Sequence, residues 1–240
     1  MKNILYIIIC AVLLAACQQN EVPNLSNGEC ILELQVSYSN KPASTTRAVD
    51  SDLAVKILDA DGNIYKLYSP GTIPAKIVLE PGTFVVCAYT DNQETWQEAN
   101  SGKGEPCYYV SKQITMEYDE IKRISISVPM VNYGVSLALP EYFHDLFNTH
   151  TFTLTSGTKQ ISIQEGEKAY FNPVDNSFTY ALQATNTDGA THSHSAIEYT
   201  GVQSGKLYVV KYAYGLDSNT GGVDIEIKDD MQMEDTDVEI

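Results

Sequence analysis

Residues 29–38 read Glu-Cys-Ile-Leu-Glu-Leu-Gln-Val-Ser-Tyr. Cys30, Leu32, Leu34, Val36 and Tyr38 form one side of an alternation whose other side carries Glu29, Glu33, Gln35 and Ser37. Successive side chains of an extended chain point in opposite directions, so a period of two predicts a strand with one buried and one wet face. The pattern returns downstream. Leu53, Val55 and Ile57 alternate, Asp61-Gly62 predicts a hairpin turn into a strand over 64–68, and Ile73, Ala75, Ile77 and Leu79 alternate again. Pro81-Gly82 turns the chain into a strand over 84–89, and after a polar loop over 91–105 strands are expected near 108–116 and 121–128. Short alternating strands with turn signals between them, and no helix of ordinary length, predict a sandwich rather than a parallel α/β sheet.

A second set of strands starts beyond Met130. Val135, Leu137 and Leu139 alternate before 140–147, the one plausible helix and a short one. Residues 151–155 and 160–164 flank a Ser156-Gly157 turn, and later strands are expected near Ala169 and over 177–184, 197–202, 207–214 and 223–227. Residues 186–195 are too polar to pack and read as an exposed loop. The expected organisation is therefore all-β: a first sandwich over 28–130, a second over 131–228, and an acidic tail over 229–240 with six acids and no base.

The N-terminus reads as an export address. Lys2 supplies a positive start, 4–14 form an uncharged apolar run, and Leu14-Ala15-Ala16-Cys17 follows. The run is shorter than the roughly 20 residues of a membrane-spanning helix. The tetrapeptide is a lipobox: the Cys17 thiol takes a diacylglycerol thioether, the leader 1–16 is cut away, and the new amine is acylated. Acyl chains at about 0.8 kcal/mol per buried methylene make a stable anchor, so the first expected partner is a membrane, held through Cys17. Residues 17–27 would then be a tether. Loss of Lys2 with the leader takes the net charge from −16 to −17. Such an acidic chain is no nucleic-acid binder, since phosphates require a Lys/Arg-rich face.

Cysteine usage leaves two readings. Cys10 goes with the leader and Cys17 with the lipid, which leaves Cys30, Cys87 and Cys107. Export permits a Cys87–Cys107 bridge across one loop, whereas buried free thiols behave as small hydrophobes. The spacings match no zinc motif, and neither metal nor cofactor is expected.

Several motifs together resemble the fimbrillin-like lipoproteins of Bacteroidales, including a group of them known only as a domain of unknown function. They are the lipobox, a strand, Thr45-Thr46-Arg47-Ala48, the hairpin Asp59-Ala60-Asp61-Gly62-Asn63 and the strand that opens Leu79-Glu80-Pro81-Gly82-Thr83-Phe84. Ala169-Tyr170-Phe171 and Gly222-Val223-Asp224-Ile225-Glu226-Ile227 extend the likeness over most of the mature chain. The resemblance implies two tandem transthyretin-like or Ig-like sandwiches, display at the outer surface, and partners among fimbrial subunits or host and bacterial surface ligands. It also implies proteolysis between Arg47 and Ala48, which would free the first strand and let a neighbour's strand take its place. Residues 40–50 are a polar connector of the kind proteases enter.

No catalytic constellation competes with this reading. His192 and His194 would share one face of an extended segment, as metal ligands do, but no third ligand stands near them. Ser195 lacks a nucleophile elbow, and the acid pairs Asp59/Asp61 and Glu94/Glu98 belong to a turn and a loop rather than to the two sides of a cleft. A glycan-binding module is the stronger alternative. Trp96, in the 91–105 loop, is the candidate stacking platform for a sugar ring, and most of the sixteen tyrosines suit half-buried sheet positions.

Overall fold

A computed structural model describes residues 28–39, 52–193 and 195–214 together with the backbone of the last strand, 223–229; for 213, 214 and that last strand only the backbone is described. The fold is all-β.

Two sheets form the first sandwich. β4 (Ile77–Leu79), β1 (Cys30–Tyr38) and β7 (Ile121–Val128) make one, in the order β4-β1-β7; β3 (Ile64–Tyr68), β2 (Leu53–Leu58), β5 (Gly82–Thr90) and β6 (Tyr109–Met116) make the other, in the order β3-β2-β5-β6. One core lies between them. Cys30, Leu32 and Val36 of β1 meet Leu53, Val55 and Ile57 of β2, Val86 and Ala88 of β5, and Val128 of β7. The alternation read in 30–38 thus has its physical cause: the apolar set faces the opposite sheet, while Gln35 is exposed. Turn chemistry matches the sequence at 59–63, where Asp59 Oδ1 accepts the amides of Asp61 and Asn63 at 3.0 and 2.8 Å. These bonds hold the Asp59 carboxyl below the usual carboxylate range.

The second sandwich repeats the plan. β8 (Tyr133–Ala138) pairs antiparallel with β11 (Lys168–Phe171) and parallel with β15 (Leu207–Tyr214), as β1 pairs antiparallel with β4 and parallel with β7. β9 (Phe147–Ser156) lies between β10 (Lys159–Ile163) and β12 (Ser177–Asn186), as β2 lies between β3 and β5. β13 (Thr191–Ser193) and β14 (Ile197–Thr200) both pair with β12. β13 and β14 together stand where β6 alone flanks β5, and among the described residues β16 (Val223–Asp229), which pairs with the far edge of β15, has no counterpart in the first sandwich. The core is aromatic, with Tyr133 packed among Phe171, Phe178 and Tyr208 at ring separations of 5.7, 6.0 and 5.9 Å.

Four elements differ from the sequence expectations. The strand expected from Ile73 is only Ile77–Leu79, because Pro74 brings no N–H to a ladder and Ser69–Thr72 is a turn. The helix expected over 140–147 shrinks to α1 (Phe143–Leu146). The supposed loop 186–195 instead doubles back: Asn186 Oδ1 accepts the amides of Asp188 and Ala190, and β13 pairs with β12. β16 takes in Asp229, where the tail was expected to begin. Among the described residues no helix is long and apolar enough to cross a membrane.

Candidate functional site

β1 is the middle strand of its sheet. Its register with β7 runs unbroken from Ile31↔Ile121 to Tyr38↔Val128, and with β4 from Cys30↔Leu79 to Leu32↔Ile77. Beyond the ladder, Ile31 N–H donates to Glu120 O at 2.8 Å, Ser39 N–H to Val128 O at 3.0 Å, and the Cys30 thiol to Glu117 O at 2.8 Å. Burial pushes that thiol's pKa up. Arg123 reaches Glu33 across the ladder at 2.5 Å, an exposed pair of small energetic weight. Ile31, Leu32 and Val36 are buried, and full burial of such side chains stabilises by about 1.5–3 kcal/mol each. An emptied β1 slot would therefore cost a large part of the 5–15 kcal/mol that holds an ordinary domain together.

The C-terminal end of β1 opens on the junction between the sandwiches. Asn132, 1% exposed, ties them: its Oδ1 accepts Cys107 N–H at 3.1 Å, its Nδ2 donates to Glu105 O at 2.8 Å, and its own carbonyl accepts Gly205 N–H at 2.8 Å. The segment 91–106 leans on β11. Tyr170 N–H donates to Lys103 O at 2.7 Å, and Lys103 pairs with Glu167 at 2.5 Å. Lys159 crosses from β10, its ammonium donating to Gln97 O and Tyr170 O at 3.3 and 3.2 Å. Burial lowers its pKa from the ordinary lysine value. Beside these contacts lies a cleft of about 830 Å³, with Tyr38, Asp52, Asn92, Ser101, Lys103 and Glu167 on its walls.

Trp96 requires a correction. The 91–105 segment is tightly wound, with Trp96 N–H bonded to Asn92 O at 2.8 Å and Glu105 N–H to Trp96 O at 3.1 Å. The winding turns the indole inward, where it is 8% exposed and lies 5.9 Å from the Lys159 ammonium. A ring so placed offers no face to a sugar. Loop polarity misled because Asp91, Glu94, Gln97 and Glu98 face outward while the one large apolar group fills the space beneath.

Cys17, Arg47 and Ala48 lie outside the described residues, as does His194. His192 is exposed on β13, its ring 5.9 Å from Phe147. His144 meets Glu165 at 3.1 Å, and the buried Nε2 of His150 has no hydrogen-bond partner. Burial first, and His144 second, lower the His150 pKa. Among the described residues no group of three His, Cys, Asp or Glu side chains is placed to hold a metal. Cys30, Cys87 and Cys107 are free and buried, so the bridged alternative does not form.

A family model described as a domain of unknown function, DUF4493, matches residues 28–240. The chain belongs to the DUF4493 family. This DUF4493 chain is similar to a candidate cell adhesion protein of Bacteroides eggerthii, at TM-score 0.51 and 10% identity, over 85% of this chain and 96% of that one. Weaker likenesses reach a candidate adhesin of Bacteroides ovatus, at TM-score 0.45 and 13% identity over 88% and 98%, and the fimbrial anchor protein Mfa2 of Porphyromonas gingivalis, at 0.41 and 10% over 84% and 98%. At such identities the likeness is one of fold. No curated protein matches the sequence. The resemblance read in the sequence is upheld as family and fold. Asn132 and the Lys103–Glu167 pair, which bring the cleft's walls together, escaped the sequence reading; the sole signal was a lone amide in the run Met130-Val131-Asn132-Tyr133.

Proposed function

We propose that this DUF4493 protein is a lipoprotein of the outer membrane, anchored through Cys17 and displayed at the cell surface as a structural subunit of a fimbrial or adhesin-type assembly. Its sandwiches act as two domains, over 28–130 and 131–228. In this reading a protease cuts between Arg47 and Ala48, and β1 leaves with the lipid anchor. The supporting observation is the placement of β1: it fills a slot between β4 and β7, and the chain leaves its end toward a segment that contains a single arginine. A slot of that cost does not stay empty. A strand from a neighbouring subunit would restore the ladder and the buried side chains together, which is strand addition in its simplest form.

N-terminal sequencing of the protein taken from native cells tests the reading. A start at Ala48 is expected in assembled material, and Arg47→Ala should block both processing and assembly. A lipidated Cys17 throughout, with assembly indifferent to Arg47→Ala, would overturn strand exchange and leave an uncut anchor or accessory subunit.

A further inference from the structure

With Trp96 buried, the cleft between the sandwiches offers, among the described residues, the dimensions and chemistry of a ligand site. We propose that this cleft, walled by Tyr38 and Asp91 on the first sandwich, the Asn100–Gly104 loop and Glu167, binds a neutral oligosaccharide.

Three observations carry it. The first is size and place: about 830 Å³ at the meeting of two domains falls inside the roughly 300–1,000 Å³ range of ligand pockets, which favour domain boundaries.

The second is the balance of charge. Lys103 is paired with Glu167 at 2.5 Å, and Glu105 Oε1 accepts Asn92 Nδ2–H at 2.7 Å. Asp52, Asp91, Glu105 and Glu167 stand against Lys103 and Lys168, so carboxylates outnumber ammonium groups on the walls; a phosphorylated or otherwise anionic ligand is disfavoured, while the same carboxylates can accept hydrogen bonds from sugar hydroxyls. Ser101 and Asn100 add short-reach hydrogen-bonding groups to these carboxylates, beside the half-buried ring of Tyr38. A sugar asks for that mixture: hydroxyls that both donate and accept, and an apolar ring face.

The third is the backbone of the wall. Asn100 and Ser101 stand at φ 52° and 59°, followed by Gly102 at 83° and Gly104 at 80°. Two consecutive non-glycine residues in the left-handed region hold conformational strain, and such strain collects at ligand clamps when the surroundings enforce it. Here they do: Asn100 Nδ2 donates to Gly104 O at 3.0 Å, Gly104 N–H to Ala99 O at 2.9 Å, and the loop is bonded to β11 at Tyr170. The result is a rigid rim that presents Ser101 to the cleft.

The test uses the full lipidated chain in detergent, titrated calorimetrically with maltotetraose, mannotetraose, xylotetraose and chitotetraose, and with tetralysine as the cationic comparator. Saturable binding of at least one tetrasaccharide is expected. Asp91→Ala, which removes an acceptor, and Ser101→Tyr, which fills the cleft, should each weaken it by about tenfold or more while the thermal midpoint is kept; that factor corresponds to about 1.4 kcal/mol. No binding of any tetrasaccharide, binding unchanged in Ser101→Tyr, or binding of tetralysine alone would overturn the proposal. Tyr38 belongs to β1, so the site is that of the uncut chain; the titration is made on that chain, and its failure is therefore distinguishable from a failure of strand exchange.

Discussion

Replacement of Asn132 by alanine is the sharpest perturbation of the junction. The side chain is 1% exposed and serves two backbone groups of the first sandwich, Cys107 N–H at 3.1 Å and Glu105 O at 2.8 Å. Both lose their partner in Asn132→Ala. A buried polar group left unsatisfied costs about 1–3 kcal/mol, so two give about 2–6 kcal/mol, with the lower half expected where water can reach Glu105. For a chain of this size each kcal/mol moves the thermal midpoint by roughly 2–4 °C, which puts the fall at about 5–15 °C. The assay is a circular-dichroism melt of the mature chain beside wild type, repeated by urea titration to confirm that the slope is unchanged. A midpoint within about 2 °C of wild type would refute the claim that this amide holds the sandwiches together.

Other outcomes follow from particular residues. Gly104→Ala forces a Cβ to within 3.2 Å of Trp96 O and Tyr170 O at φ +80°, and should destabilise by at least about 2 kcal/mol in urea titration; an unchanged midpoint would contradict the packing of the loop on β11. Because the His150 pKa is lowered in the fold, the unfolded chain binds its proton first, and stability is lost as pH falls below the unfolded value of about 6.5. Urea titrations at pH 7.5 and 5.5 should therefore show a smaller loss in His150→Phe than in wild type, and an equal loss would count against the buried imidazole. Three thiols should react with Ellman's reagent in guanidinium without reductant and almost none in native protein, since Cys30, Cys87 and Cys107 are free and buried; fewer than three would reveal a bridge. Cys17→Ser should move the protein out of the membrane fraction or leave it uncleaved, and an unchanged lipid-labelled product would defeat the lipobox.

What could be read in the sequence is what burial writes along the chain. Cys30 to Tyr38, Leu53 to Ile57 and Phe84 to Tyr89 show their buried faces because each contributes one face to a core. β13 left no such trace: Thr191, His192 and Ser193 are all exposed, and the pairing depends on backbone bonds and the Asn186 turn rather than on an apolar stripe. The parallel pairings of β1 with β7 and β8 with β15 were equally invisible, since periodicity reports a face and never a neighbour. The site was hidden for a related reason. Its walls come from strand ends and turns far apart in the chain, and Trp96, the residue that looked most like a ligand platform, is packed beneath them.

The repeated topology sharpens the case for β1 as the exchangeable strand. β8 occupies the same slot in the second sandwich, between an antiparallel and a parallel neighbour. Its first five residues are buried, it follows β7 after only Pro129–Asn132, and Asn132 is bonded on both sides of the junction, by its side chain to Glu105 and Cys107 and by its carbonyl to Gly205 N–H. Release of β8 would break the chain between the sandwiches and unmake their contact. β1 is joined covalently to the rest of the first sandwich through 39–52, and its side-chain links on the β7 side include the exposed Arg123–Glu33 pair and the Cys30 thiol on the turn just before β7. Two slots of one design thus differ in what their removal costs. A cut at Arg47 would separate β1 while the Asn132 bonds, the Lys103–Glu167 pair and the Tyr170–Lys103 bond between the sandwiches stay in place, which is the property a subunit needs if it is to trade one strand and keep its shape.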